Sequence, residues 1–224
     1  TRETYLVYIK FGLKDTNKQL VIATTRPELL AACAAILVHP NDERYLHLHH
    51  KKAIVPIYNK EVPIIPHREA NPKFGTGAVM ICSYGDYTDV RLFRELNLKP
   101  TLVINLDGKL TEKAGKYAGL EIREARKKII EDLKAMDLIT KIEKIEHKVP
   151  ICWRCKTPLE FISMKEYYLK QINFKDHLRK IIDDIRFHPK ESRQLLENWI
   201  NSITIDWPIS RRRYYGTEIP LWYC

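Results

Sequence analysis

Asp86 and Asp89 end the stretch GTGAVMICSYGDYTDV (residues 75–90), in which two glycines open an apolar run of Ala78, Val79, Met80 and Ile81. Carboxylates at the end of a buried strand either sit on a solvated turn or serve a small-molecule site. In a site, a charge-assisted hydrogen bond fixes both position and orientation of the bound group. Asp86 has a further option, because its carboxylate could cap a helix beginning near Thr88. Cys152-x-x-Cys155 offers half of a tetrahedral thiolate site and Cys224 a third sulfur, whereas a closed zinc site takes four ligands. Paired buried thiols fit the same spacing. No serine or cysteine in these motifs has a plausible histidine partner, so no nucleophile–base pair is evident.

The elements that must position these groups follow from periodicity. Residues 4–11 alternate as a strand, KDTN (14–17) turns the chain, and 19–25 returns as the second strand of a hairpin. RPELLAACAAILVHP places proline near a helix start, predicting a short helix followed by a strand at 36–39. AIVPIYNKEVPIIP carries two short β-branched runs around Asn59-Lys60, with prolines that confine them to edges or barrel corners. Residues 78–81 read as a strand, 88–98 as a helix, 100–110 as a strand with an Asp-Gly turn, 119–139 as a helix and 140–149 as a strand. From Pro150 the texture changes to a compact knuckle, a helical periodicity over 164–189 and a helix over 191–203. The fold class expected is α+β, mainly β. A barrel of mixed, largely antiparallel strands with inserted helices fills 1–148, and a small helical segment with a zinc-knuckle-like start fills 149–224.

At 224 residues with 45% hydrophobic content, the chain can build one large domain or two modest ones. No stretch approaches the roughly 18 apolar residues of a membrane span, and no signal-peptide pattern stands at the N-terminus. Starting at Thr1 without a methionine and stopping at Cys224, the chain is expected to be a piece of a larger protein. Its net charge of +10 favours a polyanionic partner, nucleic acid being the commonest, or serves solubility alone. Five cysteines, an odd number, point to reduced thiols or a metal rather than a disulfide framework.

TTRPELLAACAAILVHPNDERY (residues 24–45) resembles the editing insertion of the class I aminoacyl-tRNA synthetases for valine, isoleucine and leucine. Within that family it is more similar to the valine-specific members, on TTRPE, VHP and DERY; the isoleucine-specific ones typically carry a Thr-Pro-Trp pattern at Arg26-Pro27-Glu28. EVPII (61–65), FGTGAV (74–79), CWRC and DWPISRRRYYGTEIPLWYC follow in the family's order, so the resemblance spans essentially the whole chain. The last of these is similar to the stretch that returns the insertion to the catalytic Rossmann fold. Segments like HIGH and KMSKS, which hold ATP in the family's synthetic site, are missing from these 224 residues. The resemblance therefore implies that ATP is used only by a catalytic domain outside them, and that a structural zinc belongs to the full-length parent.

The family's problem is steric. An apolar pocket rejects threonine in favour of valine by only about a hundredfold, the general figure for the valine-specific enzymes as a group rather than a result for this chain. A second site must hydrolyse threonine from the 3′ end of tRNA(Val) while refusing valine, with no cofactor needed. By resemblance Asp89 holds the α-ammonium and Asp86 meets the threonine hydroxyl. Thr24, Thr25 and Arg26 line the site near the terminal adenosine and the scissile ester, where hydroxyls could position water. An ordinary strand threonine is the competing reading for Thr24 and Thr25. Because the ester is already activated, direct water attack is expected, with positioning and oxyanion stabilisation supplying the rate. Two departures matter. Bacterial members usually have lysine at Met80 and threonine at Cys82, and many relatives have aspartate at Cys33. The hydroxyl-reading set thus shifts toward Asp86, with Tyr84, His39 and the close backbone approach allowed by Gly77 as helpers. Arg211, Arg212, Arg213, Lys127 and Lys128, with Lys51 and Lys52, are candidates to meet tRNA phosphates. SRRRYY could equally pack near the hinge to the parent's catalytic core. Other partners implied are the rest of the parent synthetase and no membrane, in the cytoplasm. An isoleucine-specific editing domain clearing valine and a non-catalytic tRNA-docking module remain the alternatives.

Overall fold

Alternation shapes the longest strand, β1 (Arg2–Leu13), whose Val7, Ile9, Phe11 and Leu13 are buried while Tyr8 and Lys10 between them stay partly exposed; Leu6 breaks the pattern and is buried as well. The computed structural model describes residues 2–211 and 216–224, the side chain of Arg2 excepted. Asp15 turns the chain at φ 61°, and Leu13 N–H donates to Lys18 O at 3.0 Å. β2 (Gln19–Thr24) then pairs antiparallel with β1, placing Thr24 opposite Val7.

Pro27–Ala32 is a single 3-10 segment, not an α-helix, and it is buried along its length. The segment is too short for more than a turn or two of helix, and the chain passes straight into β3 (Cys33–Val38), three residues earlier than periodicity predicts. β4 (Lys52–Val55), β5 (Lys60–Pro66) and β6 (Ala78–Cys82) follow. α1 (Tyr87–Glu95) buries Leu92 and Phe93, and α2 (Ile122–Ala135) buries Ala125, Ile129 and Leu133 at helical spacing. β7 (Ile139–His147) pairs antiparallel with β1.

The strands form one seven-stranded sheet in the order β2-β1-β4-β5-β3-β6, with β7 also on β1. Among the described residues only β3–β5 pairs in parallel. β6 comes up against β2, so the sheet is nearly closed into a barrel around Ile9, Phe11, Ile22, Ile36, Val55 and Ile64. The strand expected within 100–110 shrinks to an isolated Ile104–Leu110 bridge. There the Asn105 side chain accepts from the backbone N–H of Asp107 and Lys109, both at 3.0 Å, and this local turn replaces the ladder.

Two compact units divide at 163/164, not at the 148/149 boundary that composition suggests. Residues 149–163 belong with the barrel: Ile151 bridges Pro158, and Glu160 reaches Arg26. In the second unit β8 (Tyr168–Leu169) pairs with β9 (Trp207–Pro208), while α3 (Lys175–Ile182) and α4 (Ser192–Ser202) bury Ile182 and Ile200. The helical pattern over 164–189 is realised only as a 3-10 turn at Ile172–Phe174 running into α3, with β8 occupying Tyr168–Leu169.

Candidate active site

β6 and α1 are joined by a tight turn, and this junction sets the two aspartates. Asp86 is the N-cap of α1: its Oδ1 accepts from Asp89 N–H at 2.8 Å. The capping option read from the sequence is therefore realised, and one Asp86 oxygen is committed to it. Capping orients the first turn of α1 so that Asp89 points back over the end of β6, where its Oδ1 accepts from Cys82 N–H at 3.3 Å. Burial, and then the nearby Asp86 carboxylate, push the Asp89 carboxyl up to about 7. The backbone amides of Cys82 and Asp86 and the Arg26 guanidinium act in the opposite direction without cancelling them.

A cavity of about 630 Å³ opens beside this junction, and Thr24, Thr25, Arg26, Met80, Cys82, Asp86 and Asp89 all stand on its wall. It is of the size of small-molecule sites in general. The antiparallel pairing of β3 and β6 explains who is missing. Cys33 and Cys82 face each other at the cavity end, whereas Val38 and Ala78 pair at the other. His39 and Gly77 lie just beyond that far end, two residues past Leu37 and Val79, which still line the wall. His39 Nδ1 accepts from Asn41 N–H at 3.2 Å, and Gly77 packs against Arg44, so neither reaches the cavity wall.

Arg26 has a different task from the one its motif suggests. Its Nε donates to Glu28 at 2.9 Å, its Nη1 to Gly85 O at 2.9 Å and its Nη2 to Glu160 at 2.5 Å. Glu28 is fully buried and also accepts two bonds from Arg126 of α2, at 2.8 and 2.7 Å. Burial opposes the Glu28 charge, yet Arg126 and Arg26 hold its carboxyl below the usual carboxylate range. Burial would likewise weaken the Arg26 guanidinium, and Glu28 and Glu160 more than offset it. This cluster clamps the 3-10 segment, α2, the residue-85 turn and the knuckle segment around the cavity. Sequence reading found Arg26 but missed Arg126, Glu160 and Gly85. The only advance signal was the acidic residue in an apolar run, Glu28, which cannot be buried without cationic partners.

Thr24 is buried at the end of β2, and its Oγ1 accepts from Arg26 N–H at 3.0 Å, leaving its hydroxyl proton available. Met80 and Cys82 are buried. Cys82 and Cys33 are free thiols side by side, and the hydrogen-bonding influence of Cys33 together with burial raises the Cys82 pKa well above the ordinary value. The hydroxyl of Ser83 accepts from Thr101 N–H at 2.7 Å and faces Ala32 O at 3.4 Å. A buried neutral thiol and a committed serine offer no activated nucleophile here.

The tRNA-directed cations fall into groups. Lys128 of α2 pairs with Glu124 at 2.9 Å, and Lys127 is exposed on the same helix. Neither lines the cavity, whereas the exposed Arg123 and Lys148, which sequence reading passed over, do. Arg211 bonds the backbone oxygens of Pro208 and Ser210; Arg212 and Arg213 lie outside the described residues. In the knuckle, Cys152 N–H donates to Thr157 O at 2.8 Å, and the Cys155 thiol, bonded to the Thr157 hydroxyl at 3.2 Å, is lowered to about 7. Among the described residues no three His, Cys, Asp or Glu side chains gather to hold a metal. Cys152 and Cys155 thus do not by themselves fit the closed four-ligand site of a structural zinc.

The strand ends and the α1 turn that build this cavity lie within a stretch matched by a known family. The chain belongs to the family described as tRNA synthetases class I (I, L, M and V), whose family model matches residues 14–224. More particularly, it is similar to archaeal proteins named valine–tRNA ligase. It is 60% identical to that of Nanoarchaeum equitans over 223 residues, 100% of this chain and 29% of that protein. The Pyrobaculum aerophilum protein is 53% identical over 99% of this chain and 28% of its own length. For the Methanocaldococcus jannaschii protein the figures are 47%, 100% and 25%. The chain thus spans between 25% and 29% of these relatives. Among solved structures, the LeuRS–tRNA–LeuAMS ternary complex of Agrobacterium radiobacter K84 aligns over 64% of this chain and 20% of that one, at TM-score 0.49 and 19% identity.

Proposed function

We propose that residues 1–163 form the editing domain of a valine-specific synthetase, which hydrolyses threonine misattached to the 3′ end of tRNA(Val). The observation that carries this reading is the Asp89 carboxylate, held at the end of β6 on the wall of a roughly 630 Å³ cavity beside Thr24 and Thr25. An aminoacyl ester presents one free ammonium, and a semi-buried carboxylate is its natural partner. Water attacks the ester carbonyl directly. Thr24, whose hydroxyl proton is available, and Thr25 position the water and the ester, and no acyl-enzyme forms because no activated nucleophile borders the cavity. The free oxygen of Asp86 reads the threonine hydroxyl in place of the polar groups absent at Met80 and Cys82. Valine would leave that oxygen without a partner, which is how a hydroxyl-reading site discriminates. In the parent, a separate catalytic domain joins valine to tRNA(Val) with ATP, in the cytoplasm; no described helix here is long and apolar enough to cross a membrane.

The deciding experiment compares deacylation of threonyl-tRNA(Val) and valyl-tRNA(Val) by this chain and by its Asp89→Ala variant. Threonyl ester should be cleaved faster than valyl ester, and the variant should lose the activity. Equal rates with and without Asp89, or accumulation of a covalent threonyl-protein in rapid quench, would overturn the mechanism.

A further inference from the structure

Gly75 and Gly77 have positive φ, 57° and 82°, where a side chain is strained whatever the space. Gly85 is different: its φ lies outside that region, so its backbone is one that other residues adopt. The reason for a glycine there must be room. A Cβ built on Gly85 would stand 2.0 Å from Asp89 Oδ2 and 3.2 Å from its Cγ, with Leu29 Cδ1 next at 3.4 Å. The carboxylate of Asp89 therefore occupies the volume that any side chain at position 85 would fill.

We propose that Gly85 is a positioning residue for the hydrolysis, its missing side chain forming the seat that holds the Asp89 carboxylate at the cavity wall. The inference rests on the editing function proposed above. The backbone on both sides of the seat is pinned by hydrogen bonds. Gly85 O accepts from Arg26 Nη1 at 2.9 Å, and its N–H donates to Cys82 O at 3.3 Å. Asp89 N–H is capped by Asp86. The softest response to an added methyl group is rotation of the Asp89 side chain away from Cys82 N–H and toward solvent. The backbone survives and the carboxylate leaves its place. Misplacement of a positioning group by about 1 Å is enough to cost on the order of a hundredfold in rate.

The test is Gly85→Ala in the 224-residue chain, read in two ways. Single-turnover deacylation of threonyl-tRNA(Val) should fall by about a hundredfold, and Gly85→Ala/Asp89→Ala should be no slower than Asp89→Ala alone. A general structural defect would instead add to the loss. The second readout needs no activity: carbon-13 NMR titration of the Asp89 carboxyl, assigned by its loss in Asp89→Asn. The groups facing that carboxyl are Asp86 on α1, Arg26 before the 3-10 segment, and the Cys33–Cys82 thiol pair on β3 and β6. In the unaltered chain the inflection should lie near 7. In Gly85→Ala it should move down toward the usual carboxylate range, because the group regains water. An unchanged rate with Asp89→Ala inactive overturns the seat and leaves the editing function standing. If the unaltered chain hydrolyses nothing, the editing function fails and the titration alone decides, an unmoved inflection overturning the proposal. Should Gly85→Ala not fold, the double variant lacks the clashing carboxylate and should fold; its failure as well would place the clash elsewhere and overturn the inference.

Discussion

Asp89 carries its charge at a cost. Its carboxyl is raised to about 7 against an unfolded-state value near 4, so between those pH values the folded chain binds the extra proton. Folding stability from this group therefore declines as pH rises through that window, and the full penalty is present above it. Asp89→Asn should accordingly gain on the order of 2 kcal/mol over the native chain between pH 4.5 and pH 8, measured by urea unfolding at both; the partial exposure of the group keeps the figure below the full shift. Catalysis runs the other way. Under the proposed function the substrate ammonium needs the ionised carboxylate, so kcat/KM for threonyl-tRNA(Val) should climb through pH 7, and an Asp89→Asn variant should lose both the rate and that inflection. A structurally costly, functionally required ionisation is a common mark of functional sites.

α1 and its cap show how one turn serves two ends. Asp86 was legible as a cap because the rule is local: an aspartate, then a helical apolar pattern three residues on. Asp86→Ser should retain the cap and stay within about 0.5 kcal/mol of the native stability. The same variant should lower threonine-over-valine discrimination by about tenfold, the value of one lost hydrogen bond. Asp86→Ala should lose about 1 kcal/mol as well, by thermal melting. The Arg26–Glu28–Arg126 cluster was not legible, because Glu28 and Arg126 are 98 residues apart and only the closed barrel brings α2 to the 3-10 segment. Nor could the sequence show that the cavity wall takes Leu37 and Val79 of β3 and β6 but stops short of His39 and Gly77. Glu28→Ala should destabilise the chain by about 2–4 kcal/mol in chemical denaturation, since it leaves two half-buried guanidinium groups short of a partner, their partial exposure softening the loss. Glu28→Gln should fall in between, keeping hydrogen-bond acceptors without the charge.

At the scale of the whole molecule, composition predicted a polyanionic partner from a net charge of +10 but could not say which cations matter. The structure separates them by place and by pairing. Arg123 and Lys148 stand at the cavity, exposed, while Lys128 spends its charge on Glu124. A 3′ end that delivers its ester to Asp89 must bring its phosphates past the cavity rim, and each phosphate neutralised there releases counterions. Arg123→Ala and Lys148→Ala should each weaken tRNA binding by an amount that shrinks with salt. Each should also reduce the slope of log K against log salt by about 0.7–0.9. Lys128→Ala should change it less, because the native ion pair already neutralises that charge. Fluorescence anisotropy of labelled tRNA(Val) between about 50 and 200 mM salt measures all three. Under the proposed function, single-turnover rates at saturating tRNA should remain near those of the native chain, since these cations would serve binding and not the hydrolysis. A slope unchanged in both rim variants would move the phosphate path away from α2 and the end of β7, and with it the direction from which the 3′ end enters.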